Sequence, residues 1–198
     1  MQKKGQIYLI AFILILALAA FFLLRITSPD DDADRADITG NSLKDIEENL
    51  GFSGVRDPID VSKSHMSFTG YGPGKEHDGK FNEWSGEIHI DDGNIIGFEG
   101  IIKTNSADTG IGGLNTHLQS EDFFNAEENP TITFKSKNLD NGKLTGGLTF
   151  LGTYSLISFP VIITKDSISA DFIIDTNQFG KMSDNANKEV RIYFELFK

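Results

Sequence analysis

The residues able to do chemistry are few and poorly placed for it. Four histidines, His65, His77, His89 and His117, are scattered along the chain. None has the close pairing that brings two imidazoles onto one metal ion, so no metal site is expected. Cysteine is absent, which removes disulfides, thiolate metal sites and a cysteine nucleophile together. Carboxylates pair at Asp91-Asp92, Glu121-Asp122 and Glu127-Glu128, but in segments that read as turns, where charge is solvated. Acid–base work needs one carboxyl held in a pocket. The chain has no Gly-x-Ser-x-Gly elbow and no phosphate loop. Gly70 to Gly79 looks superficially like the latter, but lacks its spacing and a helix after it, and reads as a flexible hairpin loop. An enzyme would need a buried cluster such as His117 with Asp122 or Tyr154, so no catalytic residue is assigned.

Charge narrows the partners. The formal net charge is −11; setting aside Lys3, Lys4 and Arg25 leaves 15 basic against 29 acidic residues, or −14. Nucleic-acid binding needs clustered Lys and Arg to release counterions, and is not expected. What the chain has in quantity is aromatic carbon, with 16 phenylalanines. Two of them, Phe123 and Phe124, stand together between acidic residues just before Pro130 and a short alternating run.

The elements that must position these residues fall into three regions. Ile7 to Leu24 carries no charge over 18 residues, about 27 Å as a helix and close to the ~30 Å hydrocarbon core of a bilayer. Lys3 and Lys4 before it and aspartates after it place the N-terminus in the cytoplasm and the rest outside. A transmembrane anchor is expected, with a cleaved signal peptide as the alternative, since Ala17 to Ala20 supplies small residues. Residues 26–56 read as an acidic linker, with a short helix where Leu43, Ile46 and Leu50 share a face.

Beyond Ile59, period-two alternation marks eight strands, at 62–70, 80–90, 94–103, 131–137, 143–152, 155–164, 168–174 and 190–197. Asp-Gly at Asp92-Gly93 and Asn-Gly at Asn141-Gly142 are hairpin turns, and Thr164 to Ser167 is a third tight turn. Asn105 to Pro130 is the one long break, with one or two helical turns near His117. Hairpin-linked antiparallel strands can close into an up-and-down barrel, with a sandwich as the alternative. Gly97, Gly100, Gly146 and Gly147 fit bends or bulges within strands.

Several segments together resemble one known family. His117, Leu118, Ser120, Asp122, Phe123 and Phe124, then Pro130 leading into Ile132, Thr133, Phe134 and Ser136, then Gly147, Leu148, Thr149 and Gly152, resemble the YceI-like polyisoprenoid-binding family in order and spacing. The sequence departs from the family pattern at Leu114 and Asn115, and from Thr153 to Leu156. The resemblance implies an all-β fold, an extended eight-stranded antiparallel lipocalin-like β-barrel over 57–198 with a short helical connection; the apolar run adds one N-terminal transmembrane helix within 1–25 before it. It implies an isoprenoid lipid, a quinone or polyprenyl compound, held noncovalently in an apolar cavity, with no other cofactor. From the strands, Phe81, Trp84, Ile88, Phe98, Ile102 and Phe134 are the expected ligand-binding residues, together with Leu148, Phe150, Tyr154, Phe159, Phe172 and Phe194. His117, Phe123 and Phe124 join them from the long connection, although core packing explains the two Phe rings equally well and is the favoured role of Trp84. The partners expected are the lipid and, through residues 7–24, a membrane; a homodimer stays open. The rival reading is a β-barrel protein-interaction or structural domain without a lipid ligand, acting through its loops.

Overall fold

The computed structural model describes residues 27–39, 54–180 and 187–198; the apolar run 7–24 and the helix expected at 41–51 lie outside them. Thirteen strands and one α-helix are found among the described residues. The strands are β1 (Asp37–Thr39), β2 (Val55–Pro58), β3 (His65–Gly72), β4 (Lys75–Phe81), β5 (Trp84–Asp91), β6 (Asn94–Lys103) and β7 (Ala107–Asp108), followed by helix α1 (Gly112–Gln119). After it come β8 (Thr131–Asp140), β9 (Lys143–Phe150), β10 (Thr153–Pro160), β11 (Ile162–Ile163), β12 (Ser167–Asp175) and β13 (Glu189–Phe197). No described helix is long and apolar enough to cross a membrane.

The expected hairpins form where turn chemistry places them. Asp92-Gly93 and Asn141-Gly142 both hold positive φ, as the mirror-image turns that match strand twist require. A further turn of this kind, Leu151-Gly152, joins β9 to β10; Leu151 takes φ 49°, a conformation that sequence reading does not expect of leucine.

The chain is predominantly β and antiparallel, but its ladders do not form one closed cylinder. The order is β1-β10-β9-β8-β6-β5-β2 in the first ladder and β11-β12-β13-β3-β4-β7 in the second. The chain changes ladder at interruptions inside runs read as single strands. Exposed Asn82 and Glu83 split the run at 80–90 into β4 and β5, and Val161 splits 155–164 into β10 and β11. These interruptions make the corners between the two ladders.

The Gly70 to Gly79 segment is not a flexible loop. Gly70 pairs with His77, Phe68 with Gly79, and Thr69 Oγ1 donates to Asp78 Oδ1 at 2.7 Å. Only Pro73 and Gly74 turn. Its glycines and charges mask the alternation because Gly79 is an inward position left bare for the Phe68 ring, which a Cβ there would strike.

Gly146 serves the same purpose on β9, beneath the Phe134 ring, and Gly147 lies beneath Tyr154 on the opposite face. These two glycines seat rings rather than make bends. Gly97 does sit at a register shift, between the pairs His89↔Gly97 and Ile90↔Ile95.

Residues 27–39 are not a free spacer. β1 pairs with β10, Ala36 N–H donates to Ile173 O at 2.8 Å, and Ile173 N–H donates to Asp34 O at 2.8 Å. This strap therefore bonds to β10 of one ladder and β12 of the other, across a seam that β-pairing alone leaves open.

His89 is 2% exposed on the outer face of β5, with its Nε2 3.7 Å from Glu99 Oε2, beneath an ion cluster in which Arg56 Nη1 lies 2.7 Å from Glu99 Oε1. Desolvation by burial pushes its pKa below the ordinary histidine value, against the opposing field of Glu99. Folding thus favours neutral imidazole, so this stability is present above the unfolded pKa of about 6.5 and is lost as pH falls below it. The thermal midpoint is expected to drop between pH 7.5 and pH 5, with a shallower dependence in His89→Leu; an unchanged slope in the variant would remove His89 as the cause. Gly146→Ala places a Cβ against the Phe134 ring and 2.6 Å from Lys135 O. It should cost about 1–3 kcal/mol, partly recovered in the double variant with Phe134→Leu when both are compared by thermal melts.

Candidate ligand-binding cavity

Between the two ladders lies a cavity of about 440 Å³, within the ~300–1,000 Å³ typical of small-molecule sites. Its walls are built strand by strand from inward positions. β6 supplies Phe98 and Ile102, β8 Ile132 and Phe134, and β9 Leu148 and Phe150. β10 supplies Ile157 and Phe159, β12 Phe172 and Ile174, and β13 Val190, Ile192 and Phe194. Ile102, Ile132, Phe134, Leu148, Val190 and Ile192 are only half-buried although they sit in the middle of their ladders. Their remaining accessible surface is cavity wall.

Ring contacts tie the walls together. Phe98, Phe134, Phe159 and Phe194 form a closed circuit, with centroid separations of 4.9, 5.6, 6.1 and 5.2 Å taken in turn. Phe159 stacks on Phe172 at 4.2 Å with the planes 5° apart. Nearer the other end, Phe81 meets Phe68 at 5.2 Å and Phe124 at 6.1 Å, and Phe124 meets Phe150 at 6.0 Å.

The adjacent phenylalanines divide their work. Phe124 is 7% exposed, and its backbone N–H donates to Leu118 O at 3.0 Å. Phe123 is half-buried and lies edge-on to the His117 ring at 4.8 Å. Both line the cavity, so one pair serves core and wall at once.

The mouth is marked by lining residues that reach solvent: Pro73 at the β3–β4 turn, His117 on α1 and Asp122 after it are exposed, and Gly72, Leu114 and Asn187 are half-buried. α1 is latched over this end by Asn115. Its Oδ1 accepts from Thr109 N–H at 2.8 Å and Thr109 Oγ1 at 2.7 Å, while its Nδ2 donates to Asp108 Oδ1 at 2.9 Å. The Asp108 carboxyl is held below the usual range by the Gly110 backbone N–H first, then by Asn115 and Asn82. Asn115, noted in the sequence only as a departure from a pattern, is thus the residue that positions the helix.

Of the fifteen ligand-binding residues expected from the sequence, twelve line this cavity and three do not. Trp84 lines an adjoining space of about 60 Å³ with Ile59 and Leu196, behind a wall it shares with the cavity at Met66, Phe98 and Phe134. Ile88 is fully buried in solid core opposite Phe98. Tyr154 faces outward, because Ile157 and Phe159 of the same strand line the cavity and its own ring covers Gly147 on the other face. Tyr154 is therefore kept apart from His117, and Asp122, which lines the cavity together with His117, is exposed at the mouth rather than buried. Sequence reading missed Phe68, although it lies in the run marked at 62–70, and Tyr71, hidden in the glycine-rich hairpin. It also missed Ile157, Val190 and Ile192, which parity with Phe159 and Phe194 was enough to find.

Among solved structures, the chain is similar to BcnA of Burkholderia cenocepacia, with a TM-score of 0.63 and 24% identity over 71% of this chain and 99% of that one. It is also similar to a polyisoprenoid binding domain from Saccharophagus degradans implicated in plant cell wall breakdown, with a TM-score of 0.55 and 17% identity over 71% and 95%. At these identities the likeness is one of fold. Among curated proteins, a UPF0312 protein of Pseudomonas aeruginosa is 39% identical over 80 residues, covering 37% of this chain and 42% of that protein. A UPF0312 protein of Vibrio cholerae is 32% identical over 99 residues, covering 46% and 50%. The chain spans about half the length of the curated relatives it matches or less. Residues 58–197 match the YceI-like domain, and with the two-ladder fold and its aromatic cavity in place, the chain belongs to the YceI-like domain family.

Proposed function

We propose that this domain binds an isoprenoid lipid, a quinone or polyprenyl compound, inside the cavity and holds it on the outer side of a membrane to which residues 7–24 anchor the chain. The observation that carries this reading is the cavity of about 440 Å³ walled by aliphatic and aromatic side chains. As an empty apolar void it would cost on the order of 10 kcal/mol at about 24 cal/mol per Å³, as much as the whole stability of an ordinary domain. Hydrocarbon filling it offsets that cost, and each buried methylene contributes about 0.8 kcal/mol.

An isoprenoid tail suits these walls because it asks for no hydrogen bonds. Three of the polar side chains along the wall are committed already: Thr176 Oγ1 donates to Lys188 O at 2.7 Å, Thr109 Oγ1 to Asn115 Oδ1 at 2.7 Å and Asn187 Nδ2 to Thr27 O at 3.1 Å. Membership of the family and the fold shared with a polyisoprenoid binding domain support the same ligand class. The groups at the mouth, His117 and Asp122 among them, would meet any polar head. No bond to the ligand is made or broken in this function, so it is binding or carriage rather than catalysis.

Mass spectrometry of organic extracts from the full chain, purified in detergent from a membrane-containing host, should reveal a stoichiometric isoprenoid. Ile157→Trp, which fills the cavity from its wall, should retain the circular dichroism of a β protein and lose most of that lipid. A full chain that purifies empty and takes up neither quinones nor polyprenols would sink the reading and leave a domain that works through its surface.

A further inference from the structure

The start of the described chain and the cavity mouth coincide. Thr27 N–H and Oγ1 donate to Gly72 O at 3.0 and 3.2 Å, Thr27 Oγ1 also reaches Lys75 O at 2.9 Å, and Asn187 Nδ2 donates to Thr27 O at 3.1 Å. Gly72 and Asn187 are mouth residues, next to exposed Pro73. Only Arg25 and Ile26 separate Thr27 from the end of the apolar run at Leu24. Three steps of fully extended chain cover about 11 Å at most.

The strap is also fixed beyond this clamp. Pro29 is buried, Asp34 and Ala36 bond to Ile173, and β1 pairs with β10. No long flexible spacer therefore separates the apolar run from the two-ladder domain.

The two ends of the domain differ in their access to the cavity. Around the mouth stand Pro73, Leu114 and Phe123, with Ile111 48% exposed at the start of α1. At the far end, the turns at Asp140 to Lys143 and Lys165-Asp166 are exposed, Ile162 beside the second is 70% exposed, and none of these lines the cavity wall.

We infer that the mouth is the membrane-contacting face of this protein: the strap holds it against the phospholipid bilayer that carries residues 7–24, and ligand passes between bilayer and cavity without crossing bulk water. This rests on the lipid-binding and anchored readings above. The partner is the bilayer itself. A short tether keeps the local concentration of membrane lipid at the mouth permanently high.

The absence of native cysteine makes a direct test available. Single-cysteine variants Lys75→Cys at the mouth and Lys165→Cys at the far end carry an environment-sensitive fluorophore. The full chain is reconstituted into phosphatidylcholine vesicles containing headgroup-quencher lipid. Quenching severalfold stronger at position 75 than at 165 is expected. Equal or reversed quenching, or a chain that fails to float with the vesicles, overturns the proposal. A twelve-residue Gly/Ser insertion between Ile26 and Thr27, with a mean reach of about 20 Å, should shrink the contrast; contrast that survives it refutes the role given to the strap. Lipid extracted from the same samples separates the two ideas. Bound isoprenoid with equal quenching rejects the orientation alone, and mouth-side quenching with an empty cavity rejects the ligand alone.

Discussion

Four phenylalanine rings hold the two ladders face to face, and the rest of the domain depends on that contact. Phe98, Phe134 and Phe159 come from one ladder and Phe194 from the other, each touching the next around a closed circuit. Such pairs contribute about 0.5–1.5 kcal/mol each beyond their burial. Large flat rings meet edge to face without filling all the space between two backbones. The same contacts that join the ladders therefore leave a cavity beside them, and the bare glycines at 79 and 146 give Phe68 and Phe134 their places. The cavity is a consequence of how these rings pack.

Polar groups are kept away from this interior by strand parity. On β5 the inward face carries Trp84 and Ile88, while Glu87 and His89 point outward to the cluster of Arg56, Glu99 and Lys135. Exposed ion pairs of this kind contribute little stability singly. What they do here is cover His89, whose burial as a neutral ring links the outer face of the sheet to pH. The polar lining residues that reach solvent gather instead at one end, where α1 and the β3–β4 turn meet the strap. One end of the cavity is thus wet and the other is sealed by rings.

Much of this was legible in the chain. The hairpins at Asp92-Gly93 and Asn141-Gly142 formed because those residues accept positive φ, a local property. Runs such as 168–174 and 190–197 became β12 and β13 because alternation of apolar and polar side chains is also local. The Leu151-Gly152 turn was not legible, since leucine carries no turn signal. Of the β3–β4 hairpin only β3 was legible, since Gly79 leaves an inward position of β4 without a side chain to report it. The strap was the largest surprise: its acidic residues predict solvation, yet it is held by backbone hydrogen bonds, to which side-chain composition is nearly blind.

By itself, then, the sequence determined an antiparallel β domain, a family resemblance running through its middle, a surplus of aromatic carbon and an apolar run before it. These follow from residue identity and from spacing over a few positions. The tertiary structure alone decided that Phe134 and Phe159 line a cavity while Ile88 packs in solid core. It alone brought Thr27 to Gly72, and with it the apolar run to within a few residues of the mouth. The physical reason is that facing across a cavity and docking along a seam depend on register and on residues more than forty positions apart, which no local pattern encodes.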